Sequence, residues 1–261
     1  RITLEKRGPN DGALWLLLPA LSTVSTRAEW HDFADAMGEG CQLVSFDWPG
    51  FGDSDRPSIT YNAESLRSVL RSVLAHLQRT DHRRINVVAA GHSAPLALGL
   101  AEECSGEWAQ LVLVAPTFRG PLPTMTGRPG TDFNWVRRLV ELPLVGSILY
   151  RLNTSRVILK LMLRRHVWVD KGLLTPQRVR QQQRISRQPG ARFASVAFVT
   201  GGLDSAPDAL WWLAQTQQLQ CPLHVVLAME APPRSKQEML TLADKADRIT
   251  EIDGRLGLHE E

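Results

Sequence analysis

The segment Ile85-Asn-Val-Val-Ala-Ala-Gly91-His92-Ser93-Ala94-Pro95-Leu96 joins an apolar run to a run of small and apolar residues through Gly-x-Ser. If the first run is a strand and the second a helix, the sharp turn between them forces Ser93 into strained backbone. Its hydroxyl is then lifted above the sheet. A serine so placed is a nucleophile for an acyl carbon, and the Ala94 amide at the start of the helix can hold the oxyanion that forms. The hydroxyl is a poor nucleophile at neutral pH without a base, so a histidine must reach it from elsewhere. Of the seven histidines, His92 adjoins the serine, His31, His76 and His82 lie on or beside early helices, and His224 lies within a strand. His166 falls in a basic middle stretch and His259 near the last residue. Neither the histidines nor Cys41, Cys104 and Cys221 have metal-ligand spacing. Gly50-Phe51-Gly52 lacks the following helix that a phosphate loop needs. No metal or cofactor is expected.

The elements that must position Ser93 are legible as apolar runs. Ala13–Leu18, Cys41–Phe46, Ile85–Ala90, Leu111–Val114 and Leu223–Leu227 read as buried strands. Between them Thr26–Met37, a segment N-capped by Asn62, Pro95–Glu103 and Asp208–Leu219 read as helices. Continuous apolar strands alternating with helices predict an α/β fold, with a mostly parallel sheet covered on both faces. Between the fourth and fifth strands this rhythm stops for about a hundred residues. Helical pieces are expected there at Asn134–Val140, Val145–Leu152, Ser155–Arg165 and Thr175–Arg187. The domain reading is a core of residues 1–118 and 205–261, with residues 119–204 inserted as a basic helical cap.

At this point the chain resembles the α/β-hydrolase fold superfamily. Gly91-His92-Ser93 is similar to that superfamily's nucleophile elbow. Asp47-Trp48-Pro49-Gly50-Phe51-Gly52-Asp53-Ser54-Asp55-Arg56-Pro57 is similar to the loop after its preceding core strand. More loosely, the chain resembles capped α/β hydrolases of the cyanobacterial and plastid type. The resemblance implies a second oxyanion donor, the Leu21 amide of Pro19-Ala20-Leu21, and an acid at Glu230 in Ala228-Met229-Glu230-Ala231, with Asp204 the weaker alternative. It also implies a histidine near the C-terminus, where the matching position is Leu256 and the nearest histidine is His259. Pro95 and Ala20 depart from the usual glycines; Pro95 is acceptable in a first helical turn, whereas Ala20 has less freedom than glycine. The expected function is a serine hydrolase cleaving an ester or related acyl bond of a small or lipid-like substrate through an acyl-enzyme on Ser93. His259 would be base, Glu230 its support, and Ala94 and Leu21 the oxyanion donors. The alternative is a catalytically degenerate binding or scaffold protein, favoured by Leu256 and by the altered Pro19-Ala20 loop.

Charge is placed unevenly. Residues 119–192 hold fifteen Arg or Lys and three acids, a net of +12, while the rest of the chain carries a net of −9. Apolar stretches such as Val157-Ile158-Leu159-Lys160-Leu161-Met162-Leu163 lie inside this basic unit. That combination suits an anionic membrane surface or an acyl-bearing or otherwise anionic substrate; the alternative is a lid whose apolar face covers the pocket and whose arginines are solvated. No recognition motif accompanies the charge, so nucleic acid is not an expected partner. Three widely spaced cysteines, each beside apolar residues, suit a reducing compartment, giving a cytoplasmic and membrane-peripheral reading. No run reaches the roughly 18 apolar residues of a membrane span, and the segment beginning at Arg1 has no apolar run of signal-peptide type.

Overall fold

The computed structural model describes every residue except 58, 102 and 105. Its strands are β1 (Leu4–Arg7), β2 (Ala13–Leu18), β3 (Cys41–Phe46), β4 (Ile85–Ala90), β5 (Trp108–Val114), β6 (Leu223–Ala228) and β7 (Arg248–Ile252). They form one sheet in the order β1-β3-β2-β4-β5-β6-β7. Only β1 is antiparallel; it pairs with β3, Leu4 opposite Phe46. The other pairs are parallel, with Leu16 opposite Val44 on one side of β2 and Val87 on the other. This is the α/β architecture that the apolar runs predict.

The central strands are buried on both faces, so they carry apolar residues at successive positions. Leu16, Leu18, Val87, Ala89, Leu111 and Leu113 join the main core, while Leu17, Val88 and Ala90 face a second cluster around Trp30. Helix α1 (His31–Met37) follows a 3-10 turn, Arg27–Trp30, that Thr26 and Glu29 close as a reciprocal capping box. Helix α2 (Ala63–Thr80) is capped by Asn62 and buries Leu66, Leu70, Val73, Leu74 and Leu77 along one stripe. Helix α3 (Ala94–Leu98) is shorter than the expected Pro95–Glu103. Within that expectation, Glu102 lies outside the described residues.

Between β5 and β6 come α4 (Pro121–Thr126), α5 (Asn134–Glu141), α6 (Val145–Asn153), α7 (Arg156–Met162), α8 (Pro176–Ser186), α9 (Ala191–Val199) and α10 (Ala209–Gln217). A wider turn of helix, Leu163–Val167, extends α7. The four helical pieces expected inside the insertion are therefore present, joined by α4 and α9. Helix α11 (Pro233–Ala243) packs between β6 and β7 in sequence. No described helix is long and apolar enough to cross a membrane.

All parallel strands point their carboxyl ends to one edge, where ligands of open α/β sheets bind. The loop after β3 shows how tightly that edge is built. Gly52 has φ +50°, and a Cβ there would lie 2.2 Å from Cγ of Asp47. Gly52→Ala is expected to lower stability by about 2–3 kcal/mol, through backbone strain and displacement of Asp47. Urea denaturation would read this as a lower midpoint at unchanged slope.

Candidate functional site

The strand-to-helix turn after β4 falls on Gly91, not on Ser93. Gly91 has φ +51°, in the left-handed region where glycine carries no Cβ penalty. Gly91–Ser93 form a 3-10 turn leading into α3. Ser93 itself has φ −76° and ψ −19°, ordinary right-handed helical backbone. The expectation of a strained, protruding serine is therefore corrected. The physical reason is register: β4 ends at Ala90, so the bend is spent before Ser93 is reached.

Ser93 is fully buried. Its hydroxyl donates to the Pro19 carbonyl oxygen and accepts from the Trp48 indole, Nε1 to Oγ 3.1 Å. The same indole N–H lies 3.0 Å from the Pro19 oxygen. Ser93 thus pins α3 to the loop after β2 and to the loop after β3. The Ala94 amide, expected to face an oxyanion, instead donates to the Gly91 carbonyl and closes the 3-10 turn. Leu21 is buried in the main core. Its neighbour Ala20 donates its N–H to Glu29 Oε2 at 2.9 Å.

At the turn itself there is no side chain. A Cβ placed on Gly91 would meet the Ala20 Cβ at 3.3 Å, across from the loop after β2. Ala115, at the exit of the adjacent β5, is the one non-glycine residue with positive φ among the described residues, at +45°. Backbone held in such a region marks a tightly determined site.

Glu230 and His259 do not come together. Glu230 lies in the turn after β6, with its N–H bonded to the Gly254 carbonyl at 2.9 Å. Its carboxylate is largely exposed and stands 3.8 Å from Arg255 Nη2. His259 sits in the last 3-10 turn, Leu258–Glu260, with its side chain buried against the Trp30 ring at 4.9 Å between centroids. Its Nε2 is 3.2 Å from Glu29 Oε2. Burial works to lower the His259 pKa, but the Glu29 hydrogen bond and charge, with Glu260 behind them, outweigh it and leave it raised. Burial, reinforced by the Glu29 charge, pushes the Glu260 carboxyl up to about 8. Glu29, His259 and Glu260 place ligand atoms within 4.8 Å of one another, close enough to hold a cation. Leu256 packs against the main core, and its N–H bonds the His166 carbonyl at 3.2 Å.

Asp204, the weaker alternative acid, lies beside His92 rather than His259. The buried His92 ring has Nε2 3.2 Å from Asp204 Oδ1 and lies edge-on to Phe198, with centroids 5.5 Å apart. Asp204 Oδ1 also accepts the Gly120 N–H at 2.8 Å. Nearby, Glu238 accepts from Arg119 Nε at 2.8 Å, while burial raises its pKa. Neither ring nitrogen of His92 makes a hydrogen bond among the described residues, so its link to the inserted helices is the packing on Phe198 of α9. No spacing in the sequence signals this partnership, because 112 positions separate His92 from Asp204.

Two cavities lie elsewhere. A small one lies beside Glu5, Arg27, Trp30 and His31. A cleft of about 390 Å³ is lined by Leu161, Arg164, Arg165, Val169, Lys171 and Arg255. Ser93 lines neither.

A seven-stranded, mostly parallel sheet with a glycine-centred turn after β4 and a helical insertion after β5 defines an α/β protein of the hydrolase architecture. The chain belongs to the alpha/beta hydrolase family, whose profile matches residues 15–254. The chain is similar to the enol-lactonase of Burkholderia xenovorans LB400, with 17% identity, 98% of this chain and 89% of that one covered, and a TM-score of 0.69. It is also similar to ALR0039 of Nostoc sp. PCC 7120, with 21% identity, 100% and 89% coverage and a TM-score of 0.72. A thermophilic esterase from Thermogutta terrifontis matches at 19% identity, 99% and 88% coverage and a TM-score of 0.67. At these identities the likeness speaks for the fold. No curated protein sequence matches the chain.

Proposed function

We propose that this member of the alpha/beta hydrolase family is a catalytically degenerate binding or scaffold protein that does not turn over esters through Ser93. The observation that carries this reading is the turn at Gly91. The left-handed position of the turn has no side chain, and Ser93, two residues on, is buried with its hydroxyl given to the Pro19 carbonyl. A serine nucleophile needs its hydroxyl within reach of a base and free to attack. Ser93 bonds Pro19 and Trp48, His259 bonds Glu29, and among the described residues no hydrogen bond or ion pair joins the two sets. Glu230, the expected support for the histidine, instead faces Arg255.

The competing reading is the serine hydrolase with Ser93 attacking, Ala94 and Leu21 as oxyanion donors, His259 as base and Glu230 behind it. Membership of a hydrolase family supports it. A fluorophosphonate probe followed by mass spectrometry separates the two. The expected result is no adduct at Ser93 in protein whose fold is intact by circular dichroism. An adduct at Ser93 that disappears in Ser93→Ala would overturn the binding-protein reading.

A further inference from the structure

Helix α6 is amphipathic the wrong way round for a helix that packs on a core. Its apolar residues Val145, Ile148, Leu149 and Leu152 recur at i, i+3, i+4 and i+7, the spacing of one face. All four are exposed, Ile148 and Leu152 by 60% and 61%. The side that packs inward is narrow, with Gly146 so close to α5 that a Cβ would overlap the Val140 carbonyl. The crest continues in both directions. Trp135 on α5, Leu144 in the α5–α6 link and Val157 on α7 are each at least two-thirds exposed. An apolar face of this extent on water is unusual unless something covers it.

The flanks of the crest say what covers it. Leu161 of α7, the helix that follows α6, is exposed and lines the 390 Å³ cleft. The other walls of that cleft are Arg164, Arg165, Lys171, Arg255 and Val169. Arg164, Arg165 and Lys171 form no ion pair among the described residues. Burial first, and then the charges of Arg165 and Arg255, lower the pKa of neighbouring His166. The stretch 119–192 as a whole carries +12. A second copy of the chain laid on this face would set two cationic surfaces against each other, and an apolar crest is no asset to nucleic-acid binding.

We propose that the α5–α7 face docks on an anionic phospholipid membrane. Ile148, Leu152, Val157 and their neighbours enter the headgroup–acyl boundary, and the cleft between Arg164, Arg165, Lys171 and Arg255 receives a headgroup phosphate. Apolar burial and charge attraction add at such a surface, and Trp135 belongs at an aqueous–lipid boundary. The proposal is independent of the catalytic question, because none of these residues is in the Gly91–Ser93 turn.

The test is vesicle sedimentation of the full chain. Vesicles of phosphatidylcholine alone are compared with vesicles containing about 30 mol% phosphatidylglycerol. The expected result is at least about tenfold tighter binding to the anionic vesicles, weakened by salt. Two variants follow: Leu144→Asp with Val157→Asp, and Arg164→Glu with Arg165→Glu and Lys171→Glu. All five residues are exposed, so both variants are expected to melt like the parent. Each should lose the preference for anionic vesicles. Negligible binding to both vesicle types would overturn the proposal, as would binding that neither variant changes. A dimer in solution that Leu144→Asp with Val157→Asp dissociates would assign the crest to a second copy instead.

Discussion

Asp47→Ala is expected to destabilise the protein by about 3–5 kcal/mol, the range for removing one partner of a buried ion pair. For a chain of this size that lowers Tm by roughly 6–20 °C. Asp47 is fully buried at the end of β3. Its carboxylate accepts the Arg27 backbone N–H at 2.6 Å and the Asp53 N–H at 2.8 Å, and pairs with the Arg27 guanidinium. Arg27 also reaches Asp53 at 3.0 Å and Glu5 at 3.3 Å. The carboxylate thus fastens the 3-10 turn before α1 to the loop carrying Trp48, and Arg27 extends the link to Glu5 of β1. Alanine would strand two backbone donors and leave the Arg27 guanidinium, on a side chain only 22% exposed, to Glu5 and Asp53 alone. The measurement is thermal and urea unfolding beside Asp53→Ala, whose carboxylate is 63% exposed and should matter little. A loss below about 1 kcal/mol for Asp47→Ala would show that water replaces the carboxylate and that the loop is held by other means.

The long motif around Asp47 is therefore legible in the sequence for a structural reason. Its glycines and acids close one compact loop, which leaves a recognisable spacing. The central strands were equally legible, because burial on both faces leaves uninterrupted apolar runs such as Ala13–Leu18 and Ile85–Ala90. The edge strands were not. Leu4–Arg7 and Arg248–Ile252 carry LEKR and RITEI, and strands with one open side need no apolar run. Gly-x-Ser misled for a related reason. Ala89, Ala90, Gly91, Ser93 and Ala94 are all small, so size alone does not say which of them takes the bend. The deciding cue was the glycine directly after the last strand residue, since φ +51° is open to glycine and costly for serine. The Glu29–His259 pair had no cue at all, with 230 positions between its members.

That pair gives the second large effect. His259→Ala is expected to cost about 3–5 kcal/mol near pH 6, because it leaves the Glu29 carboxylate, 7% exposed, without its cation. The sign of the pH dependence follows from proton linkage. The folded pKa of His259 is raised, so its contribution is complete below the unfolded value of about 6.5 and is lost as pH rises through the folded value. Glu260 adds to the trend. The folded state holds its proton up to about 8, whereas the unfolded chain releases it at about 4.3. Stability therefore falls between those two values as well. Three melting curves taken from pH 5 to pH 9 check this. Wild type should lose Tm steadily across the range. His259→Ala should lie far below it at pH 6 and approach it by pH 9. Glu260→Gln should flatten the slope and melt roughly 2–8 °C above wild type at pH 9, as relief of about 1–2 kcal/mol implies. A histidine that served only as a catalytic base would produce none of this, since its removal would leave the seam between the C-terminal turn and α1 untouched. His259→Ala that melts with wild type at pH 6 would return the residue to the list of candidate bases and weaken the case against a hydrolytic Ser93.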